Sequence, residues 1–281
     1  MKFLYTAFLG LVQGIAEFLP ISSSGHLSLF QNFLGIQSAE ESNLFLDVLL
    51  HLGTLISVFI YYRRDIVDMV LEFFRGCKAL VHPIEGEEKP PAARRLVFMV
   101  IIGTLPLFVI LPFKHMIDKL YYNTWFIGFA LLVTGGLLYV SDRLAKGRKT
   151  ERSVTVLDVI LIGFGQALAT VPGLSRSGTT ISVGLMRSCN RRFAVRFSFL
   201  LSIPAVLGAN ILSLKDAVEA GIDWSLMPSY ILGVAIAAVS GYFAIRVVNL
   251  LTDQGKFGKF AYYCWGVGLL ALILSAVFAI I

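Results

Sequence analysis

Long apolar stretches separated by short charged segments make up most of this chain. Six of the stretches hold about 20 residues each, which is the length that an α-helix needs to cross a hydrocarbon core of about 30 Å. They lie at about 44–62, 96–113, 124–142, 193–214, 229–250 and 260–281. The pattern predicts an all-α polytopic membrane protein with six transmembrane helices, forming a single membrane domain over residues 1–281.

Two further apolar regions, 3–34 and 154–187, are interrupted by polar turns that begin at Pro20 and Pro172. About 13 residues follow each turn, at 22–34 and 175–187, and a helix of that length measures roughly 20 Å, too short to span. Unwound backbone at membrane depth must be buried in protein or line a water-filled cavity. The pattern therefore predicts two re-entrant helical hairpins.

The two broken regions are copies of one another at a constant offset of 153 residues. Six identities fall within 16 positions: Gly10 and Gly163, Gln13 and Gln166, Ala16 and Ala169, Ser22 and Ser175, Ser24 and Ser177, Gly25 and Gly178. Each half, about 1–142 and 154–281, then consists of one hairpin followed by three crossings. Because three is odd, the hairpins enter from opposite faces, which predicts an inverted-topology repeat whose hairpin tips meet inside the bilayer.

Charge is distributed unevenly between the two sides of this predicted topology. The segments 63–95, 143–153, 187–196 and 246–259 fall on one side and hold 19 of the 24 Lys and Arg residues. Cytoplasmic loops carry this excess of cations, so the cation-rich side is predicted to be cytoplasmic and both termini to face outward. The placement accounts for the net charge of +6, and no nucleic acid partner is expected. Apolar residues at helical spacing within 66–74, mixed with charged ones, predict an interfacial amphipathic helix.

Three ionisable residues, Glu17, His26 and Arg176, lie in or beside the predicted hairpin tips. A charged group at the bilayer centre costs about 2.5–3.5 kcal/mol on insertion scales, so such residues point to a functional site. If the tips meet, these groups converge with hydroxyl-bearing residues of both turns: Ser22, Ser23, Ser24, Ser175, Ser177 and Thr180.

The residue types in this cluster indicate a phosphate ligand. Helix N-termini attract anions, and the Arg176 guanidinium matches phosphate oxygens. Glu17 would repel a phosphate, and a bridging Mg²⁺ or Ca²⁺ resolves the conflict because these ions prefer oxygen ligands. His26, three residues after Ser23, can serve as a base for a serine nucleophile or as the nucleophile itself. A polar site at membrane depth suits a ligand with a phosphorylated head and a hydrocarbon tail.

Two stretches of the chain carry recognisable motifs. Gln13-Gly-Ile-Ala-Glu-Phe-Leu-Pro-Ile-Ser-Ser-Ser-Gly-His26 and Pro172-Gly-Leu-Ser-Arg-Ser-Gly-Thr-Thr180 resemble the two signature motifs of the undecaprenyl-diphosphatase (bacitracin-resistance) family. Leu50-His-Leu-Gly-Thr54, which follows Asp47, also looks like that family's pattern. The resemblance extends over the whole chain in length and in the order of its elements.

The resemblance implies hydrolysis of undecaprenyl diphosphate to undecaprenyl phosphate, which recycles the cell-wall carrier lipid at the outer face of the bacterial inner membrane. It also implies dependence on a divalent cation and bacitracin tolerance on overexpression. It assigns catalytic positions to Glu17, Ser23, His26 and Arg176, with Glu17 as the candidate metal ligand. The expected substrate-binding residues are Gln13, Ser22, Ser24, Gly25, Ser175, Ser177 and Thr180, and Asp47 and His51 are expected to orient the site. The sequence is compatible with a homodimer and does not define the oligomeric state.

Two alternatives remain open at this stage. Inverted repeats with broken helices are typical of transporters, so a polyprenyl-phosphate flippase could use the same site for binding only. Ser23 and His26 distinguish the two functions, because a carrier needs phosphate ligands but no nucleophile and base. Arg176 and Glu17 could also form a purely structural ion pair that holds the hairpins together.

Overall fold

The computed structural model describes residues 2–34, 40–81, 90–219 and 221–280. Within these ranges the regular structure is helical, with one isolated bridge between Lys149 and Cys189 and no β-strand. The all-α prediction is therefore confirmed for the described part of the chain. The α-helices are α1 Lys2–Phe18, α2 Ser23–Leu34, α3 Glu40–Tyr61, α4 Arg63–Val81, α5 Ala92–Thr104, α6 Leu107–Ile110, α7 Lys114–Leu120, α8 Thr124–Leu144, α9 Val156–Leu168, α10 Arg176–Met186, α11 Arg191–Glu219, α12 Met227–Asp253 and α13 Phe260–Ile280.

Six helical segments in the described ranges are long and apolar enough to cross a membrane, as the sequence predicts, and the protein is a multi-pass membrane protein. They are Leu44–Tyr61, Ala92–Leu120, Thr124–Leu144, Arg191–Glu219, Trp224–Asp253 and Phe257–Ala279. The second is interrupted: α5 ends at Thr104, and the chain continues through α6, a 3₁₀ turn over Leu111–Phe113, and α7. Pro106 and Pro112 lie at the two breaks, where a residue without an amide hydrogen cannot continue the helical ladder.

Four shorter helices form two pairs, α1 with α2 and α9 with α10. Helices α2 and α10 begin at Ser23 and Arg176, close to the starts predicted at about 22 and 175. Both starts are capped in the same way, because the amide of Gly25 donates to Ser22 Oγ at 3.2 Å and the amide of Gly178 donates to Ser175 Oγ at 3.1 Å. Such caps satisfy amides that the helix itself leaves unpaired.

The backbone of the two turns differs. In the first turn Ser22 has φ of 68°, and in the second Gly173 has φ of 90°. A side chain in the left-handed region is strained, by about 1–2 kcal/mol for residues other than glycine. Gly173 also lies against α8, since an added Cβ would lie 2.7 Å from Ala130 Cβ and 3.0 Å from the carbonyl oxygen of Ile127.

Glycines allow α1 and α9 to pack closely against long helices of the other half. A Cβ added at Gly10 would lie 2.5 Å from the carbonyl oxygen of Gly233 on α12, and a Cβ at Gly163 would collide with that of Gly103 on α5. Small residues that bring backbones together are a common packing device in membranes. Gly10 and Gly163 are one of the six repeated pairs, so both copies use the same contact.

Ion pairs gather the cation-rich segments at one end of the protein. Arg196 Nε lies 3.3 Å from Asp65 Oδ1, which joins α11 to α4, and Arg192 pairs with Asp253 at 3.0 Å, which joins α11 to α12. Arg191 pairs with Asp142 on α8. The segments predicted to share a side are therefore held together at the N-terminal end of α11.

A second group at this end surrounds Asp158, which is completely buried. Its carboxylate accepts hydrogen bonds from Lys149 Nζ at 2.7 Å, Arg187 Nε at 2.8 Å and the Thr155 amide at 3.0 Å. Asp158 therefore joins the loop after α8 to both α9 and the end of α10.

Candidate active site

The ends of α1 and α10 bring a buried carboxylate and a guanidinium together. Arg176 Nη2 donates to Glu17 Oε1 at 2.5 Å, although 159 positions separate the two residues in the chain. The side chain of Glu17 is 8% exposed and that of Arg176 is 16% exposed. The turn at Pro20 and the turn at Pro172 thus contact one another, as the sequence predicts for these two residues.

The second oxygen of Glu17 collects further polar groups. Gln13 Nε2 and Ser23 Oγ each donate to Glu17 Oε2 at 3.1 Å, and His51 Nε2 lies 3.9 Å from the same atom. The structure therefore brings Gln13, Ser23, His51 and Arg176 together around Glu17. We call these five residues the Glu17 cluster.

His26 lies beside the Glu17 cluster with a different set of partners. Its Nδ1 is 2.8 Å from the carbonyl oxygen of Ser22, and because a carbonyl only accepts, Nδ1 carries the hydrogen. In the neutral imidazole Nε2 is then an acceptor, and it receives a hydrogen bond from the Tyr263 hydroxyl at 2.9 Å. The Ser23 hydroxyl donates its hydrogen bond to Glu17. Glu17, and not His26, is therefore the acceptor next to the serine.

Tyr263 is a site residue that the sequence interpretation missed. Its ring stacks on the His26 imidazole with centroids 5.6 Å apart and planes inclined by 11°. Tyr263 lies on α13, for which the sequence predicts only a membrane span. A hydroxyl near the start of the last apolar stretch was the available signal, although an interfacial tyrosine gives the same signal.

The two turns touch through small residues at equivalent positions. A Cβ added at Gly25 would lie 3.0 Å from Gly173 Cα, and a Cβ at Gly178 would lie 3.1 Å from Pro20 Cβ. At the offset of 153, Gly25 corresponds to Gly178 and Pro20 corresponds to Gly173. The two contacts are therefore equivalent, with the halves exchanged. Gly25, predicted to bind substrate, is also required for this close approach.

The remaining predicted hydroxyls bond within the two turns or, for Thr180, also to α11, and none of them hydrogen-bonds to Glu17. Ser22 and Ser24 lie 3.3 Å apart through their hydroxyl oxygens, and so do Ser175 and Ser177. Thr180 Oγ1 is 2.5 Å from Ser198 Oγ on α11 and also donates to the carbonyl oxygen of Arg176 at 2.9 Å. Binding of substrate by these five residues stays a prediction.

Asp47 and His51 occupy one face of α3 next to the site. His51 Nδ1 bonds to the backbone oxygen of Asp47 at 2.8 Å, which directs Nε2 towards Glu17. The carboxylate of Asp47 is half-buried and forms no ion pair with any residue in the described ranges. His51 therefore contacts Glu17, and Asp47 acts on that contact through its backbone oxygen; that the two residues orient the site stays a prediction.

Donors remain available around the pair of turns. Arg176 Nη1 is buried and has no hydrogen-bond partner within the described chain. The amides of Ser23 and Ser24, and those of Arg176 and Ser177, belong to first turns of helices, where anions bind. The arrangement can therefore receive an oxyanion next to Ser23.

The residues around Glu17 determine which ligands a divalent cation would find at this site. No group of three His, Cys, Asp or Glu residues able to hold a metal occurs in the part of the chain that the structure describes. Glu17 is the one carboxylate in its cluster, and the hydroxyl of Ser23 adjoins it. Mg²⁺ commonly uses one or two carboxylates together with substrate phosphates and water, so these residues fit a cation that arrives with a diphosphate.

The carboxylate and the imidazole of the first half are absent from the equivalent positions of the second half. At the offset of 153, Gln13, Glu17 and His26 correspond to Gln166, Thr170 and Thr179. The side-chain amide of Gln166 and the hydroxyl of Thr179 are buried, with no hydrogen-bond partner among the residues described. Carboxylate and imidazole therefore occur in one of the two copies.

Comparison with known proteins places the chain in a family. The sequence profile of the bacitracin resistance protein BacA family matches residues 6–270. This chain belongs to the BacA family. A relative from Halothermothrix orenii named undecaprenyl-diphosphatase is 40% identical over 279 residues, covering 99% of this chain and 100% of the relative.

Other similar relatives carry the same name. The undecaprenyl-diphosphatase of Carboxydothermus hydrogenoformans is 42% identical over 274 residues and that of Methanosphaera stadtmanae is 37% identical over 273, covering 95% and 96% of this chain and the same shares of each relative. The match to the BacA family includes both turns and the whole Glu17 cluster. The resemblance seen in the two motifs is thereby confirmed.

Proposed function

We propose that this protein is an integral membrane phosphatase that hydrolyses undecaprenyl diphosphate to undecaprenyl phosphate and inorganic phosphate. The observation that carries the proposal is the junction of Glu17, Ser23 and Arg176, which places a hydroxyl, a carboxylate and a guanidinium together between apolar helices. The names of its relatives in the BacA family support the substrate. A lipid diphosphate combines the head that this cluster can bind with a tail suited to the surrounding bilayer.

The proposed architecture is one membrane domain built as an inverted repeat with two re-entrant hairpins. Helices α1, α2, α9 and α10 hold 17, 12, 13 and 11 residues, which is short for a crossing. The contact between the two turns and the glycine contacts of α1 and α9 each occur twice, once from each half to the equivalent element of the other half. This reciprocity supports the repeat. In this arrangement the site lies at membrane depth with access from one face.

The diphosphate binds through donors that the protein leaves available. Arg176 uses Nη2 to hold Glu17 and offers Nη1 to a phosphate oxygen. The first-turn amides of α2 and α10 add neutral donors and the positive end of each helix dipole. A divalent cation held by Glu17 together with the diphosphate would neutralise phosphate charge and polarise the phosphorus–oxygen bonds.

Ser23 is the proposed nucleophile. Its hydroxyl already donates to Glu17 Oε2, so the carboxylate can accept the proton while Ser23 Oγ forms a bond to the terminal phosphorus. The bond from that phosphorus to the bridging oxygen breaks, and undecaprenyl phosphate leaves. Water then attacks the phosphoserine, releasing inorganic phosphate and restoring Ser23. The unprotonated Nε2 of His26 can take a proton from that water once it exchanges Tyr263 for water.

The proposed location is the bacterial inner membrane, with the site open to the outer face and the product recycled as the cell-wall carrier lipid. The ion pairs of α11 gather the cation-rich segments at one end, and such segments remain in the cytoplasm in most membrane proteins. Cysteine accessibility in intact cells tests this orientation: Lys146→Cys should be shielded from an impermeant reagent and Lys215→Cys should react.

Phosphate release from undecaprenyl diphosphate by the purified full-length protein tests the activity. Wild type should release phosphate with Mg²⁺ or Ca²⁺, and Ser23→Ala should not. Acid quenching with substrate labelled in the terminal phosphate separates the two nucleophiles, because phosphoserine survives acid and phosphohistidine does not. Acid-stable label that disappears in Ser23→Ala is expected, and acid-labile label that persists there would assign the attack to His26.

A lipid-phosphate carrier is the second candidate, favoured by the pairing of broken helices from the two halves. A carrier would bind the lipid without releasing phosphate. Movement of a prenyl phosphate across proteoliposomes by Ser23→Ala at the wild-type rate, with no phosphate released by either protein, would select the carrier.

A further inference from the structure

A cluster of cations lies where α3 meets α4 and α12, and Tyr61 at this point follows His51 of the Glu17 cluster by ten residues along α3. A shallow cavity of about 330 Å³ occurs there. It is lined by Ile60, Tyr61, Arg63, Arg64, Asp65 and Tyr242. We call it the interfacial cavity.

The charge of the interfacial cavity is not balanced from within the protein. Asp65 is already paired with Arg196 on α11 at 3.3 Å. Arg63 and Arg64 are exposed and form no ion pair with any residue in the described ranges. Arg246 is exposed on α12 and follows Tyr242 by four residues, so it lies on the same helix face. Arg63 and Arg64 thus line the cavity together with one carboxylate that is already paired, which leaves the lining with a net positive charge.

The cavity lies at the level of a membrane interface. The span of α3 ends at Tyr61, and the rings of Tyr61 and Tyr242 are 5.6 Å apart. Tyrosine is enriched at this level because its ring is apolar and its hydroxyl is polar. The amphipathic helix predicted within 66–74 is present as part of α4, and it exposes Val67, Val70, Leu71 and Phe74. An apolar exposed face beside a basic cavity suits a helix lying in the headgroup region.

Apolar side chains continue from the cavity into the span. Ile56 and Ile60 are exposed on α3, and Val239 and Phe243 are exposed on α12, each pair one helical turn apart. Helices α3 and α12 pack against one another. A ligand with its head in the cavity would therefore find hydrocarbon-compatible surface below it.

We propose that the interfacial cavity binds the headgroup phosphate of an anionic phospholipid, with its acyl chains against α3 and α12. Guanidinium groups bind phosphate through paired N–H donors, and tyrosine hydroxyls add further donors. Basic pockets between membrane helices at the cytoplasmic side are suited to such lipids, because that leaflet is anionic. Binding of this lipid requires neither the Glu17 cluster nor hydrolysis.

Titration of the delipidated full-length protein in neutral detergent tests the proposal, with bound lipid counted by native mass spectrometry. Phosphatidylglycerol should bind more tightly than phosphatidylcholine. The double variant R63Q/R64Q should lower phosphatidylglycerol affinity by roughly 20-fold, because each cation near an anionic lipid surface contributes to binding. Both side chains are exposed, so melting temperature without lipid should match the wild type.

The matched control is R148Q/R152Q, which removes two exposed arginines from the loop after α8 and changes net charge equally. Its phosphatidylglycerol affinity should equal that of the wild type. Equal losses in both double variants, or equal affinity for the two lipids, would overturn the proposal. Millimolar inorganic phosphate should not displace the lipid, and displacement would reassign the cavity to free phosphate.

Discussion

Arg176 Nη2 and Glu17 Oε1 lie 2.5 Å apart at the contact between the two turns, although 159 positions separate the two residues in the chain. Both side chains are largely buried, so each charge depends on the other for compensation. The pair could serve stability, chemistry or both. Ser23 and Gln13 on the same carboxylate, and an unpartnered Nη1 on the arginine, extend it beyond an isolated ion pair.

Replacing the two charges singly and together separates these roles. Glu17→Gln and Arg176→Gln should each lower turnover by about 100-fold or more, because each removes a charged group from the site. Each should also destabilise the protein, since a buried partner is left uncompensated. Phosphate release and melting temperature in detergent measure the two effects.

The double variant E17Q/R176Q provides the control. It should recover part of the melting temperature, because neither charge is left alone, while turnover remains as low as in the single variants. Recovery of turnover together with stability would show that the pair only holds the turns together.

Tyr263→Phe should lower kcat by about 3- to 10-fold, with little change in KM. The ring still stacks on His26, but the hydrogen bond to Nε2 is lost, and the imidazole is held less firmly. His26→Ala should cost far more, at least about 100-fold. Steady-state kinetics of Tyr263→Phe, Tyr263→Ala and wild type give the comparison, and a Tyr263→Ala enzyme as active as wild type would remove Tyr263 from the site.

Removal of divalent cations with a chelator should suppress phosphate release, and Mg²⁺ or Ca²⁺ should restore it. Glu17→Asp keeps the carboxylate but withdraws it by one methylene, so it should need a higher cation concentration for half-maximal turnover. Unchanged turnover of wild type in excess chelator would contradict a cation bound with the diphosphate.

Asp158→Ala should destabilise the protein by about 1–3 kcal/mol, because it removes the buried acceptor that joins Lys149, Arg187 and the amide of Thr155. Asp216→Ala is the matched comparison. Asp216 pairs with Lys114 at 3.5 Å, but both side chains are about half exposed, so a change within about 0.5 kcal/mol is expected. Denaturation in mixed micelles measures both, and kcat of the folded fraction should be unchanged in either variant.

The main elements and the central pair follow from the chain alone because they depend on local signals. Apolar length determines the six spans, and Pro20 and Pro172 mark the breaks before α2 and α10. The repeated residues around the breaks predict that the turns meet, and Glu17 and Arg176 do so. Gln13 and Glu17 contact one another because four residues make one turn of α1.

Other contacts could not be read from spacing. Ser23 and His26 are three residues apart on one helix, yet the turn between Phe18 and Ser23 folds the serine onto Glu17. The partner of His26 comes from α13, 237 residues away, and no periodicity relates the two. Hydroxyls predicted to bind substrate, such as Ser175, first cap the helices that they precede.

The two halves of the chain share a backbone plan, but Thr170 and Thr179 stand where the first half has Glu17 and His26. In the proposed inverted repeat, a single copy therefore carries the carboxylate and the imidazole. A phosphatase with the proposed single reactive copy would consume lipid from one leaflet and leave its product in that same leaflet. Supply to the other leaflet then becomes a separate event, so dephosphorylation has a direction with respect to the membrane although the surrounding helices do not.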